Sequence, residues 1–224
     1  MTKVIFVRHA EAEGNVNRNF HGHYDSLLTE NGRKQLELVA QRLKNEPIDV
    51  IYSSDLTRTF ETAMSIAQGR GLEVIKDKRL REIYGGQWED VPWDELPVRF
   101  PESYGFWLKN PQLLCMPGGE SMVEFQQRVY DAVCDIVQKH PGKNICIATH
   151  GTVIKVLLCK YYGKGLSDLP DMIWHDNASL TEVEFDDDFN PRVKFEGDNA
   201  HLGQCSTLAK QSWWRKKLIE GEEE

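Results

Sequence analysis

The hydrophobic positions of the chain form short apolar runs separated by helical repeats. The first run, at residues 4–7, contains four apolar residues rich in β-branched side chains and predicts a buried strand of a parallel sheet. It ends abruptly in Arg8 and His9. A second run of the same design begins at Asn144 and ends in His150. If the two strands are parallel neighbours, their carboxyl ends bring both histidines to the sheet edge where α/β proteins bind ligands.

Helical patterns lie between the predicted strands. Leu36, Val39, Ala40 and Leu43 have the spacing of an amphipathic helix that begins after Thr29. The same reasoning predicts helices at 57–67, 121–137 and 151–161. It also predicts a short strand within 48–56 that breaks into Ser-Ser-Asp, and further strands at 72–75, 179–185 and 192–197. This order of elements predicts an α/β fold with a mostly parallel central sheet.

Segment 13–26 follows the first strand and is polar and glycine-containing, which predicts a loop. Asn15, Arg18 and His21 lie on it. The loop leaves the sheet at the edge that carries the chemistry, and phosphate-binding groups are commonly drawn from such loops. The alternative interpretation is an ordinary solvated loop.

Arg58 falls in the first turn of the helix predicted after Ser53, Ser54 and Asp55, which are residue types favoured for capping. The helix dipole disfavours a cation at this end. A bound anion would compensate, because backbone N–H groups and the guanidinium would face it together. The alternative is a side chain that points to water.

The segment at about 84–118 is rich in aromatic residues and prolines and fits no regular alternation of helices and strands. Long connections of this kind are usually lids or specificity loops, so we expect an aromatic lid over the site. Glu82 directly precedes this segment. Its charge alone does not distinguish a functional carboxylate from a solvated one.

Composition narrows the functional classes. The 224 residues, 40% of them hydrophobic, suffice for one domain over 1–224, and no low-complexity linker divides them. The net charge of −8 argues against binding to nucleic acid or acidic membranes, which requires a broad basic face. We find no signal peptide or membrane-length apolar run and expect a cytoplasmic protein.

Cysteine and histidine spacing gives no metal site. Five cysteines without a CxxC pattern predict reduced thiols, and seven histidines without an HExxH pattern predict no metal ligands. We expect no cofactor. The C-terminal tail, with Trp213 and Trp214, is expected to form a surface helix.

Several separated segments together resemble the histidine phosphatase superfamily, also called the phosphoglycerate mutase-like family. RHAEAEGN (8–15) resembles its Arg-His-Gly signature, and HGHYDSLLTENG (21–32) its Gln-Gly-x-x-Asp-x-x-Leu-Thr-x-x-Gly segment. SSDLTRTFETA (53–63), LREIYGGQWED (80–90), GGES (118–121) and ATHG (148–151) match its remaining motifs in the family's order. The departures are Ala10 for Gly, Ala12 for Thr, His21 for Gln and Asp90 for Gly.

The resemblance implies a three-layer α/β/α sandwich and a role for each matching residue. His9 is the nucleophile, and Glu82 is the general acid and then base. Arg8, Arg58 and His150 hold the phosphoryl group, with His150 most effective when protonated. The implied substrate-binding residues are Asn15, Arg18, His21, Gly22 and Gly151.

The expected function is a metal-independent phosphatase that hydrolyses small phosphorylated metabolites through a phosphohistidine. The phosphatase branch is favoured because the motif reads LREIYGGQWED and only about 37 residues separate Glu82 from Gly119. A cofactor-dependent phosphoglycerate mutase is the alternative. A non-catalytic sugar-phosphate-binding module is the second, disfavoured because every reacting group is present. The oligomeric state stays open, a homodimer included.

Overall fold

The computed structural model describes residues 1–210. Its centre is a six-stranded sheet. The strands are β1 Thr2–Arg8, β2 Val50–Ser53, β3 Val74–Lys76, β4 Asn144–Thr149, β5 Leu180–Phe185 and β6 Pro191–Asp198. They lie in the order β3-β2-β4-β1-β5-β6. Strands β1 to β4 run parallel, and β5 and β6 join antiparallel. The helix expected around Trp213 and Trp214 lies outside the described residues.

The pairing of β1 with β4 positions the two histidines. Arg8 lies opposite Thr149 in a parallel register, so His9 and His150 leave the sheet side by side. The backbone N–H of His9 donates to the carbonyl of Thr149 at 2.9 Å, which continues the ladder one residue beyond the strand. The prediction that these strands are parallel neighbours is therefore confirmed.

Helices cover both faces of the sheet. They are α1 Glu13–Asn17, α2 Glu30–Leu43, α3 Thr57–Ala67, α4 Leu96–Arg99, α5 Pro101–Lys109, α6 Met122–Lys139, α7 Gly151–Tyr161 and α8 Thr207–Lys210. Along β1, Val4 and Phe6 point into the cluster that contains the apolar faces of α6 and α7, whereas Ile5 and Val7 point into the cluster with α2 and α3. The predicted three-layer α/β/α fold is thus confirmed.

Two local predictions were wrong in detail. The segment predicted as a loop from residue 13 begins with α1, because the side chain of Asn15 accepts the backbone N–H of Ala12 and closes a first turn. The helix ends at Asn17, and the next residue, Arg18, has a left-handed φ of 59°. The third strand, predicted at 72–75, lies at Val74–Lys76 on the sheet edge, where few neighbours fix its limits.

The aromatic segment contains α4, α5 and short 3₁₀ turns. Trp88 is completely buried in the core, and Phe20 contacts its ring edge-on at 5.5 Å between centroids. Trp93 and Trp107 pack on the same phenylalanine at 5.4 and 5.9 Å. The segment is therefore anchored through aromatic contacts to the loop that follows α1. Its action as a lid, and the single domain over 1–224, stay predictions.

Within residues 1–210, none of the helices combines the length and apolar character needed to cross a membrane.

Candidate active site

A cavity of about 630 Å³ opens at the carboxyl ends of the parallel strands. Eight of the ten predicted site residues line it: Arg8, His9, Asn15, Arg18, His21, Arg58, Glu82 and Gly151. Among the described residues, His150 and Gly22 are the two predicted residues that lie outside its wall. The aromatic segment contributes Trp93, Tyr104 and Trp107 to the wall.

His9 is held in one tautomer. Its Nδ1 lies 2.8 Å from the carbonyl oxygen of Ala10, and because a carbonyl only accepts, Nδ1 carries the proton. The lone pair is therefore on Nε2. Burial, together with the positive charges of Arg58 and Arg8, holds the pKa of His9 well below 6.5. The imidazole is neutral and nucleophilic at physiological pH.

One nitrogen of the Arg8 guanidinium is anchored to the backbone, and another can donate a hydrogen bond to a ligand. Its Nη1 donates to the carbonyl of His175 at 2.5 Å, while its buried Nε has no acceptor among the described residues. A Cβ on Gly151 would lie 3.2 Å from that Nε, so the glycine allows the guanidinium to approach α7 closely. An anion in the cavity would satisfy the remaining donor.

Arg58 is completely buried, so the alternative of a solvated side chain is wrong. Its guanidinium donates to the carbonyls of Tyr24 at 2.8 Å and Gly22 at 2.9 Å. Burial lowers the pKa of Arg58 to about 10, which leaves it charged. Gly22 is needed for close packing, because a Cβ there would lie 2.1 Å from the carbonyl oxygen of Ile83. Gly22 lies outside the cavity wall, and its predicted contact with the substrate stays a prediction.

Glu89 binds the loop at residues 21–24 on the side opposite Arg58. The sequence analysis did not identify Glu89 as a site residue. Its carboxylate accepts the backbone N–H groups of Gly22, His23, Tyr24 and Gly85 at 2.8–3.1 Å. Carbonyls of this loop face Arg58 while its amides face Glu89. The signal in the sequence is the Trp-Glu pair in LREIYGGQWED, although the motif alone does not indicate what this glutamate binds.

His150 lies behind His9, with 5.3 Å between ring centroids. Its Nδ1 accepts from Nη2 of Arg58 at 3.3 Å, which leaves the proton on Nε2, 2.9 Å from the hydroxyl of Ser54. Burial and the charge of Arg58 hold the pKa of His150 well below 6.5. The ring is therefore neutral in this structure and orients Arg58, and its protonation on phosphate binding stays a prediction.

Glu82 has a carboxyl group suited to proton transfer. Its Oε1 accepts from the N–H of Ile83 and its Oε2 from the N–H of Thr152, both at 2.9 Å. Burial raises the pKa of Glu82 above its ordinary value, although these hydrogen bonds oppose the shift. A carboxyl group held in this way carries a proton closer to neutral pH than a solvated one does.

Residues 175–177 support the site and carried no recognised motif. Asn177 donates to the carbonyl of His9 at 3.0 Å and to Oδ1 of Asn15 at 3.2 Å, which fixes the amide plane of Asn15 at the cavity wall. Asp176 accepts the backbone N–H groups of Thr207 and Leu208 and so attaches α8 to this loop. Leu208 lines the cavity as a result.

Two departures from the family pattern contact each other. Nε2 of His21 lies 3.0 Å from Oδ1 of Asp90, and the same oxygen accepts from Asn19 at 2.8 Å. Asp90 has a φ of 60°, a conformation that favours glycine and explains the usual residue at this position. Asp90 adopts this strained backbone conformation, and its side chain provides a hydrogen-bond partner for His21 at the cavity wall.

No group of histidine, cysteine, aspartate and glutamate side chains suited to a metal ion occurs among the residues that the structure describes.

Comparisons with known proteins agree with this geometry. A model of the histidine phosphatase superfamily (branch 1) matches residues 4–198. The chain is 35% identical over 207 residues to Phosphoserine phosphatase 1 of Hydrogenobacter thermophilus, covering 91% of this chain and 96% of that protein. It is 40% identical over 209 residues to Phosphoglycerate mutase-like protein 4 of Arabidopsis thaliana, covering 92% and 89%.

Among solved structures, Bacillus stearothermophilus YhfR is similar with a TM-score of 0.86 and 34% identity, over 90% of this chain and 100% of that one. The chain belongs to the histidine phosphatase superfamily. The predicted class, a phosphomonoester hydrolase of this superfamily, is confirmed.

The buried neutral His150 predicts a pH-dependent stability. The unfolded chain protonates this histidine below about pH 6.5 and the folded chain does not, so unfolding takes up a proton and stability falls as the pH falls. Between pH 6.5 and 5, His150→Gln is expected to reduce the slope of unfolding free energy against pH by up to about 1.4 kcal/mol per pH unit.

Denaturant unfolding across this pH range measures the slope. His140→Gln is the matched control, because burial lowers the pKa of the half-buried His140 less strongly, and its slope should change less. An unchanged slope in His150→Gln would mean that His150 is already protonated in the fold.

Proposed function

We propose that this protein hydrolyses small phosphomonoesters through a phosphohistidine formed on His9. The observation that carries the proposal is the tautomer of His9. Its Nδ1 is committed to the Ala10 carbonyl, so Nε2 presents a lone pair in a cavity that Arg8 and Arg58 also line. A neutral imidazole that shares a cavity with two guanidinium groups is suited to attack a phosphate dianion.

In the first step, Nε2 of His9 attacks phosphorus while the bond from phosphorus to the ester oxygen breaks. Arg8 and Arg58 offset the charge on the equatorial oxygens. Glu82 donates its proton to the departing alkoxide, which leaves as an alcohol. His150 contributes through its bond to Arg58, and a bound dianion would raise the pKa of both histidines.

In the second step, Glu82 accepts a proton from water as the water oxygen attacks phosphorus. The bond between phosphorus and Nε2 breaks, inorganic phosphate forms and Glu82 is protonated again. The Glu82 carboxyl group donates a proton in the first step and accepts one in the second. Its raised pKa suits both roles.

The proposed substrate is a small phosphorylated metabolite, in line with the 630 Å³ cavity and with relatives named phosphoserine phosphatase. We also propose a cytoplasmic location. The five cysteines are free thiols in the structure, one of them exposed, and free thiols persist in a reducing compartment.

Glu82→Gln tests the proton transfer. The variant should lose far more activity on alkyl phosphates than on p-nitrophenyl phosphate, whose leaving group scarcely needs a proton, with a contrast of roughly 10²–10⁴-fold in kcat. Steady-state kinetics on both substrates measure it. Glu102→Gln, on the exposed surface of α5, is the matched control and should show no contrast. An equal loss on both substrates would remove Glu82 from the role of general acid.

A mutase is the second candidate, favoured by the relatives named phosphoglycerate mutase-like and probable phosphoglycerate mutase. A mutase must shield its phosphohistidine from water while an intermediate reorients, which requires longer covering segments than the 37 or so residues between Glu82 and Gly119.

We therefore expect net phosphate release and little interconversion of 3- and 2-phosphoglycerate. Parallel assays of phosphate release and of isomer composition, with 2,3-bisphosphoglycerate present, distinguish the two. Interconversion on the order of 10 s⁻¹ or more with little phosphate release would contradict the phosphatase proposal and show that the protein is a mutase.

A further inference from the structure

A buried threonine connects the helix that carries Arg58 to the residue beside His9, and the proposed reaction does not use it. Thr62 lies one turn beyond Arg58 on α3 and is completely buried. Its Oγ1 accepts the backbone N–H of Ala10 at 3.0 Å and donates to the carbonyl oxygen of Arg58 at 2.8 Å. The hydroxyl of Thr62 therefore joins the backbone next to the nucleophile to α3.

The direction of both hydrogen bonds follows from the groups that Thr62 contacts. A carbonyl oxygen can only accept, so the single hydroxyl proton of Thr62 points to Arg58. A backbone N–H can only donate, so Ala10 faces a lone pair of the same oxygen. A threonine that bonds the carbonyl four residues earlier in a helix has a fixed rotamer. The acceptor that Ala10 meets is therefore held in one orientation.

Thr62 and Asn177 bind the two sides of one peptide group. The carbonyl of the peptide between His9 and Ala10 accepts from Asn177 at 3.0 Å, and the N–H of this peptide donates to Thr62. The plane of this peptide sets the direction in which the chain continues, and the carbonyl of Ala10 is the group that binds Nδ1 of His9. Ala10 and Thr62 are both completely buried, so water does not replace a lost partner cheaply.

We propose that Thr62 is a positioning residue for the nucleophile: its hydroxyl holds Ala10 so that the Ala10 carbonyl keeps the proton of His9 on Nδ1. This inference rests on the proposed phosphatase function and specifies how its nucleophile is oriented. Without the hydroxyl, the buried N–H of Ala10 loses the acceptor described here, and the backbone can rotate. The bond from Nδ1 to the Ala10 carbonyl then weakens, and a proton on Nε2 removes the lone pair that attacks phosphorus.

Thr62→Val tests the inference because it removes the hydroxyl and keeps the branched shape of the side chain. We expect the first turnover of p-nitrophenyl phosphate, measured by stopped-flow release of p-nitrophenolate, to slow by on the order of 10- to 100-fold, the effect of one unpaired buried N–H. Thr62→Ser keeps the hydroxyl and should restore most of the rate. The affinity for inorganic phosphate, measured by calorimetry, should stay at the wild-type value, because the guanidinium groups keep their own partners.

The tautomer of His9 provides a second readout. Nitrogen NMR of the labelled imidazole distinguishes a protonated from an unprotonated ring nitrogen. Wild-type protein and Thr62→Ser should show the proton of His9 on Nδ1, and Thr62→Val should gain a population with the proton on Nε2. A purely structural role of Thr62 would not move this signal.

Thr181→Val is the matched control, since Thr181 is also a buried threonine whose Oγ1 accepts a backbone N–H, that of Gly197 at 3.2 Å. Thr181 lies outside the cavity wall as described over residues 1–210. The control variant should keep the wild-type rate of the first turnover. If Thr62→Val does not fold, as judged by circular dichroism, Thr62→Ala removes the same hydroxyl with less volume.

Four results would overturn the inference. A wild-type first-turnover rate in folded Thr62→Val would show that His9 does not need the hydroxyl. Equal slowing in Thr62→Ser would assign the effect to packing, and equal slowing in Thr181→Val would assign it to general stability. A fall in phosphate affinity as large as the fall in rate would assign Thr62 to the support of Arg58. By contrast, wild-type protein that hydrolyses no p-nitrophenyl phosphate or other phosphomonoester would contradict the proposed function itself.

Discussion

The parallel pairing of β1 with β4 is the constraint on which the rest of the site depends. The ladder extends to the N–H of His9 and the carbonyl of Thr149, so the first residues beyond each strand are fixed in space. A shift of one residue would turn every side chain of β1 to the opposite face. Because Val4, Ile5, Phe6 and Val7 are buried on alternate sides between helices, burial makes such a shift costly.

Several charged side chains are buried at this edge of the sheet. Buried guanidinium groups are costly unless their donors are satisfied. Arg58 meets that requirement with carbonyls of the loop at residues 21–24, and Glu89 satisfies amides of the same loop. The arginine that binds phosphate in our proposal is therefore positioned by backbone, and Glu89 acts as a positioning residue. His23 links this loop to the carbonyl of Glu82 at 3.0 Å.

Much of the fold and the main side chains of the site could be predicted from the sequence. The two apolar runs that end in histidine predicted that these strands are neighbours. The family motifs, in their order along the chain, identified Arg58 and Glu82. The roles of Gly22 and Asn177 could not be predicted, because they depend on contacts between backbone and distant segments. The lowered pKa of His150 could not be predicted either, because burial and the neighbouring Arg58 cause it and neither is visible in a motif.

The most direct test of the account is to trap the covalent intermediate. Wild-type protein is mixed with p-nitrophenyl phosphate, quenched within milliseconds in alkaline detergent and mapped by mass spectrometry. The account predicts an acid-labile, base-stable phosphate on His9, formed at least as fast as turnover and absent from His9→Asn. Turnover without a phosphoenzyme, phosphate on another residue, or full activity in folded His9→Asn would contradict it.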